Sequence, residues 1–78
     1  MPSAAIENAR YYSLEEELQA YESAIRAILE SIADDWGGVN ILREAAEEEV
    51  EEARKTLDEY NNLRERRDDI AKQIRGFQ

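Results

Sequence analysis

The residues with the most chemical potential in this chain are carboxylates. Glu44, Glu47, Glu48, Glu49, Glu51 and Glu52 place six acids within nine positions, and Asp34-Asp35 stand together just before a glycine pair. Carboxylates do general acid–base work when paired with a positioned second group, and bind metals when joined by histidine or by a calcium-loop pattern. Neither condition is met here. The chain has no histidine and no cysteine, which removes thiolate nucleophiles, imidazole bases, disulfides and the usual zinc ligand sets. A di-iron bundle needs Glu-x-x-His from two helices, and a calcium loop needs a twelve-residue Asp/Asn pattern around a central glycine; both are absent. The expectation is therefore a protein that is not an enzyme and carries no cofactor and no metal.

At helical spacing the six glutamates cover all of the segment except the side formed by Ala45, Ala46, Val50 and Ala53. They read first as a solvated face. Glu47, Glu48, Glu51 and Glu52 also form a candidate partner-binding surface, able to dock on a basic protein or to imitate nucleic-acid phosphates. Three aromatic residues join them as partner-binding candidates. Tyr11 and Tyr12 are adjacent, so only one can face a seam squarely. Trp36, the single tryptophan, reads first as a plug over Ile32 and Leu42 and second as an exposed anchor.

The chain has 78 residues, 19 acids, 10 bases and a net charge of −9. That is enough for one domain, spanning 1–78. The charge is unevenly divided: residues 1–59 carry a net −11 and residues 60–78 a net +2. Arg64, Arg66, Arg67, Lys72 and Arg75 suit the C-terminal end of a helix. Their expected role is to pair with Glu7, Glu15, Glu16 and Glu17 across the fold or between protomers. Direct nucleic-acid binding is not expected from so acidic a chain. No apolar run is long enough for a membrane span, and the first residues do not form a signal peptide. The expected location is the cytoplasm, with no membrane partner.

The carboxylates and aromatics need elements to hold them, and the apolar pattern supplies helices. Leu14, Leu18, Tyr21, Ile25, Ile28 and Ile32 follow one another at steps of 4, 3, 4, 3 and 4, an unbroken heptad seam of the coiled-coil type. Gly37 and Gly38 close the helix and Asn40 is placed to cap the next. Beyond them Val39, Leu42, Ala46, Val50, Ala53, Leu57, Tyr60 and Leu63 continue the seam, with a slip at Arg67 before Ile70, Ile74 and Phe77. The pattern predicts helix one over about 4–35, a turn at 36–39 and helix two over about 40–75. A Ser13–Glu16 capping box would also allow a start or kink at Ser13. Length favours the longer helix one. Helix two would span about 54 Å at ~1.5 Å per residue, and only a first helix reaching back toward Ile6 matches it.

The fold class is thus all-α, an antiparallel two-helix hairpin. Two helices share only one seam, and Ile28, Leu29, Ile41 and the tyrosines widen the apolar stripe beyond what one seam covers. The expected outcome is self-association into a homodimer or higher oligomer, a four-helix or larger bundle. A protein partner supplying the missing helices would satisfy the same physics. The interface residues would be Leu14, Leu18, Tyr21, Ile25, Ile28, Ile32, Leu42, Val50, Leu57, Tyr60, Ile70 and Ile74. The functional expectation is a protein–protein interaction module acting as adaptor, assembly factor or inhibitor. The alternative is a phage- or plasmid-type acidic inhibitor that blocks a nucleic-acid-binding machine.

Trp36-Gly37-Gly38 at the turn between two helices resembles the Trp-x-Gly turn of the WXG-type, ESAT-like small helical hairpins of type VII secretion. The resemblance implies an obligate helical dimer with Trp36 and Gly38 at its turn, exported without a cleaved signal peptide. The family's C-terminal Tyr-x-x-x-Asp/Glu export signal has no counterpart, since Tyr60 is followed four residues later by Arg64.

Overall fold

The computed structural model describes residues 3–76, with side chains from residue 10 onward. Three helices follow one another: α1 (Ser3–Trp36), α2 (Val39–Glu47) and α3 (Glu51–Arg75). All three pack against one another, in a body measuring 57 × 19 × 17 Å. Among the described residues, no helix is long and apolar enough to cross a membrane.

α1 runs without interruption through Ser13, so the capping-box start there is not used. Its heptad seam turns inward: Leu14, Ile25 and Ile32 are buried, while Leu18, Tyr21 and Ile28 are half-buried. Hydrophobic burial at every third or fourth residue outweighs the modest local preference of serine for a cap. The helix closes on Gly37, whose N–H donates to the Ala33 carbonyl at 3.1 Å and whose φ of 87° suits a residue without a Cβ. α2 then starts one residue earlier than expected. Gly38 takes the N-cap position without a side-chain hydrogen bond, and Asn40 lies exposed in the first turn instead of capping it.

The expected single helix over 40–75 is broken. α2 ends at Glu47 and α3 begins at Glu51. The break is a well-formed helix stop. The Glu49 N–H donates to the Ala46 carbonyl and the Val50 N–H to the Ala45 carbonyl, both at 3.1 Å. This is the paired pattern of a Schellman cap, which normally places glycine at the left-handed position. Here that position is Glu49, with φ 66°. The Arg54 side chain adds a contact from the next helix, its Nε donating to the Ala46 carbonyl at 3.4 Å.

The break redirects α2. On a straight helix Arg43 and Asp58 would stand about 22 Å apart, yet both line one groove with Ala46, Glu47, Arg54 and Leu57. α2 therefore folds back beside the first turns of α3. The core forms where the three helices meet, from Ile25 and Ile32 of α1, Leu42 and Ala46 of α2, and Ala53 and Tyr60 of α3. Ile32, Leu42 and Ala53 are fully shielded from solvent. The alanines keep the helix backbones close, as the small residues of this segment suggest.

Candidate interaction surface

The residues expected to form the seam fall into two groups. Leu14, Ile25, Ile32, Leu42, Tyr60 and Ile70 are buried within the chain, and Leu18, Tyr21, Ile28, Leu57 and Ile74 are half-buried. Val50 departs from the pattern. It is 40% exposed because it caps α3 with an extended backbone, φ −71° and ψ 114°, instead of continuing a helical seam. Ile6 has no described side chain, and Phe77 lies outside the described residues.

The half-buried positions border shallow grooves between α1 and α3. Tyr21 lines one with Glu59, Asn62, Leu63 and Arg66. Ile25 and Leu29 line another with Glu22, Arg26 and Arg67. Arg67, which breaks the heptad register, lays its stem in that groove and turns its guanidinium to Asp68 Oδ1 at 2.9 Å. Hydrogen bonding to Tyr21, reinforced by charge, holds Arg66 above the ordinary arginine range. Arg64 sits over the Tyr60 ring, 5.4 Å from its centroid, a cation–π contact on a buried aromatic.

Trp36, the last residue of α1, is half-buried and packs against the core. Tyr11 and Tyr12 meet edge to face at 5.8 Å. Tyr11 is half-buried, whereas Tyr12 is 65% exposed. A hydrogen bond to Glu15, the charge of that carboxylate, and burial together push the Tyr11 hydroxyl above its usual value. Among the described residues, Leu29, Ile41 and Val50 complete the exposed large apolar side chains, one each on α1, α2 and the break.

Glu47, Glu48, Glu51 and Glu52 are all exposed and surround the break. Among the described residues, the ion pairs are Arg54–Glu49 at 3.9 Å and Arg67–Asp68. Among the described residues, none joins the basic end of α3 to Glu15, Glu16 or Glu17, and the side chain of Glu7 lies outside the described residues. No group of three potential ligands among the described residues is placed to hold a metal ion.

The accessible surface is 5948 Å². A compact monomer of 9.0 kDa would expose about 4,850 Å², so about 1,100 Å² more is open to solvent than a compact fold would leave. The excess follows from the shape. The radius of gyration is 16.6 Å, against about 11.5 Å for a compact domain of this length.

The pattern missed two features of this surface, the break and the contacts that Arg54 makes across it. No glycine or proline marks residues 48–50. The one local signal was the density of like charge. Comparison with protein-family models, curated proteins and solved structures finds no match for this chain.

Proposed function

We propose that the chain is a non-enzymatic protein–protein interaction module, an antiparallel helical hairpin that associates with itself into a four-helix bundle. The observation that carries this reading is the surface excess of about 1,100 Å², compared with the ~800 Å² that each partner of a standard interface buries. The placement of Tyr21 and Ile25 beside residues 59–67 supports the hairpin. Leu29 and Ile41, exposed at 36% and 50%, are the apolar contacts a second copy would cover. Such a body serves as an adaptor or assembly factor, because its chemistry lies in what it covers.

Light scattering across a protein concentration series tests the reading. The expected result is a dimer or larger species that Leu29→Asp and Ile41→Asp together dissociate, with helical content retained. A cooperatively folding monomer at all concentrations would overturn it. The acidic-inhibitor reading rests on a separate observation, the exposure of Glu47, Glu48, Glu51 and Glu52 around the break. It predicts instead salt-sensitive capture of a basic protein, lost when those four residues become glutamine.

A further inference from the structure

Three observations converge on the segment Glu48–Val50. It stops a helix without the residue that such a stop favours, since Glu49 holds φ 66° where glycine is normally used. The sequence around it is written for a straight helix. Val39, Leu42, Ala46, Val50, Ala53 and Leu57 follow one another at helical steps of 3, 4, 4, 3 and 4 across the break, and Val50 is the one member the break turns out to solvent, 40% exposed. Finally, α2 is a short arm of nine residues whose inner side is held by burial: Leu42 is fully shielded and Ala46 nearly so.

We propose that α2 is an exchangeable arm hinged at Glu48–Val50. In the closed protomer it covers its own α1 and α3. In the open protomer α2 and α3 join as one helix, Glu49 returns to ordinary helical backbone, and Val50 rejoins the seam. Leu42 and Ala46 then lose the cover that α3 gives them in the closed protomer, and a second copy restores it by exchanging its own α2. The occupant of the vacated site is therefore an identical segment, which is why exchange costs little once two copies meet. This inference rests on the self-association reading, and it specifies how the two copies engage.

Two substitutions at the hinge separate strain from charge. Glu49→Gly relieves the left-handed residue and so favours the closed arm. At the lower end of the usual penalty this is about five-fold per hinge, or about thirty-fold in the dissociation constant of a dimer holding two open hinges. Glu49→Gln removes the same charge but keeps the strain, so the dimer should stay as tight or tighten. Loss of charge alone would strengthen association of a −9 chain, so the glycine effect has the opposite sign to the electrostatic one. Distances give the second readout. The chain has no cysteine, so Asn40→Cys and Glu65→Cys accept spin labels uniquely. Diluted with unlabelled protein, the dimer should show an intrachain separation near 38 Å, the length of 25 straight helical residues. A closed arm gives a clearly shorter one.

Weaker association of Glu49→Gly with Glu49→Gln unchanged or tighter, together with the long distance, supports the exchange. A dimer that both substitutions affect alike, or one that keeps the short distance, overturns the exchange while leaving self-association standing. A monomer at every concentration overturns both.

Discussion

The turn between α1 and α2 makes a prediction that inspection of free space would get backwards. A Cβ built on Gly38 meets nothing within 4 Å, whereas one on Gly37 comes to 3.1 Å from Ile41 Cδ1. Steric room alone would rank Gly37→Ala as the harmful change. The backbone says otherwise. Gly38 has φ 133° and ψ 167°, a region that essentially only glycine occupies, with a strain of about 1–3 kcal/mol for other residues. Gly37 has φ 87°, nearer the left-handed region, where an L-residue costs about 1–2 kcal/mol. Its close neighbour is the tip of a half-exposed isoleucine, which can turn aside. Each alanine also narrows the unfolded ensemble, returning ~0.4–1 kcal/mol. The net expectation is a loss of about 1–2 kcal/mol for Gly38→Ala and about half that for Gly37→Ala. For a chain whose whole stability is about 4–12 kcal/mol, both shifts are measurable. Urea unfolding at one fixed protein concentration reads them as midpoint shifts at constant m. A Gly38→Ala protein as stable as the parent, or a costlier Gly37→Ala, would refute the assigned turn geometry.

Further outcomes follow from other sites. Leu42→Ala should cost about 2–5 kcal/mol in the same urea experiment, because the side chain is fully buried where three helices meet. Val50→Ser should raise the melting temperature by a few degrees, since it gives α3 the side-chain cap it lacks and such caps contribute about 1 kcal/mol. Tyr11 should ionise above the ordinary tyrosine value of 10.0, and Glu15→Gln should bring it down in an ultraviolet titration. The raised value belongs to the folded state, so its contribution to stability is complete below pH 10.0 and fades as pH climbs through the folded value.

What could be read from the sequence was what depends on periodicity. Leu14, Ile25 and Ile32 recur at whole turns of one helix, and burial of that stripe is the strongest force available to the segment. The glycine pair was equally legible, because positive φ at Gly37 and Gly38 is a local demand that few other residues meet. Asn40 misled because capping depends on where the first helical residue falls, and Gly38 with its positive-φ backbone moved that start back to Val39. The break at Glu48–Val50 was invisible for a different reason. Every residue from Arg43 to Arg54 tolerates a helix, so intrinsic propensity does not distinguish a bent chain from a straight one, and the density of like charge was the one local sign.

Like charge and burial together account for the bend, and their magnitudes show which one decides. In a straight helix Glu47 would stack on Glu51, Glu48 on both Glu51 and Glu52, and Glu49 on Glu52. Each such pair is unfavourable by ~0.2–0.5 kcal/mol, so the four together disfavour the straight form by about 1–2 kcal/mol. Holding Glu49 left-handed costs about 1–2 kcal/mol. These terms nearly cancel, and the Schellman hydrogen bonds leave few backbone groups unpaired at the stop. What remains is Leu42. Its complete burial where the three helices meet, against the one-sided contact with α1 that a straight hairpin leaves it, stabilises the bend by at most about 1.5–3 kcal/mol. The acidic cluster therefore makes the bend inexpensive, and the arm's apolar side selects it. A second copy that offered Leu42 the same cover would remove the selecting term, leaving two conformations close in free energy and their choice to protein concentration.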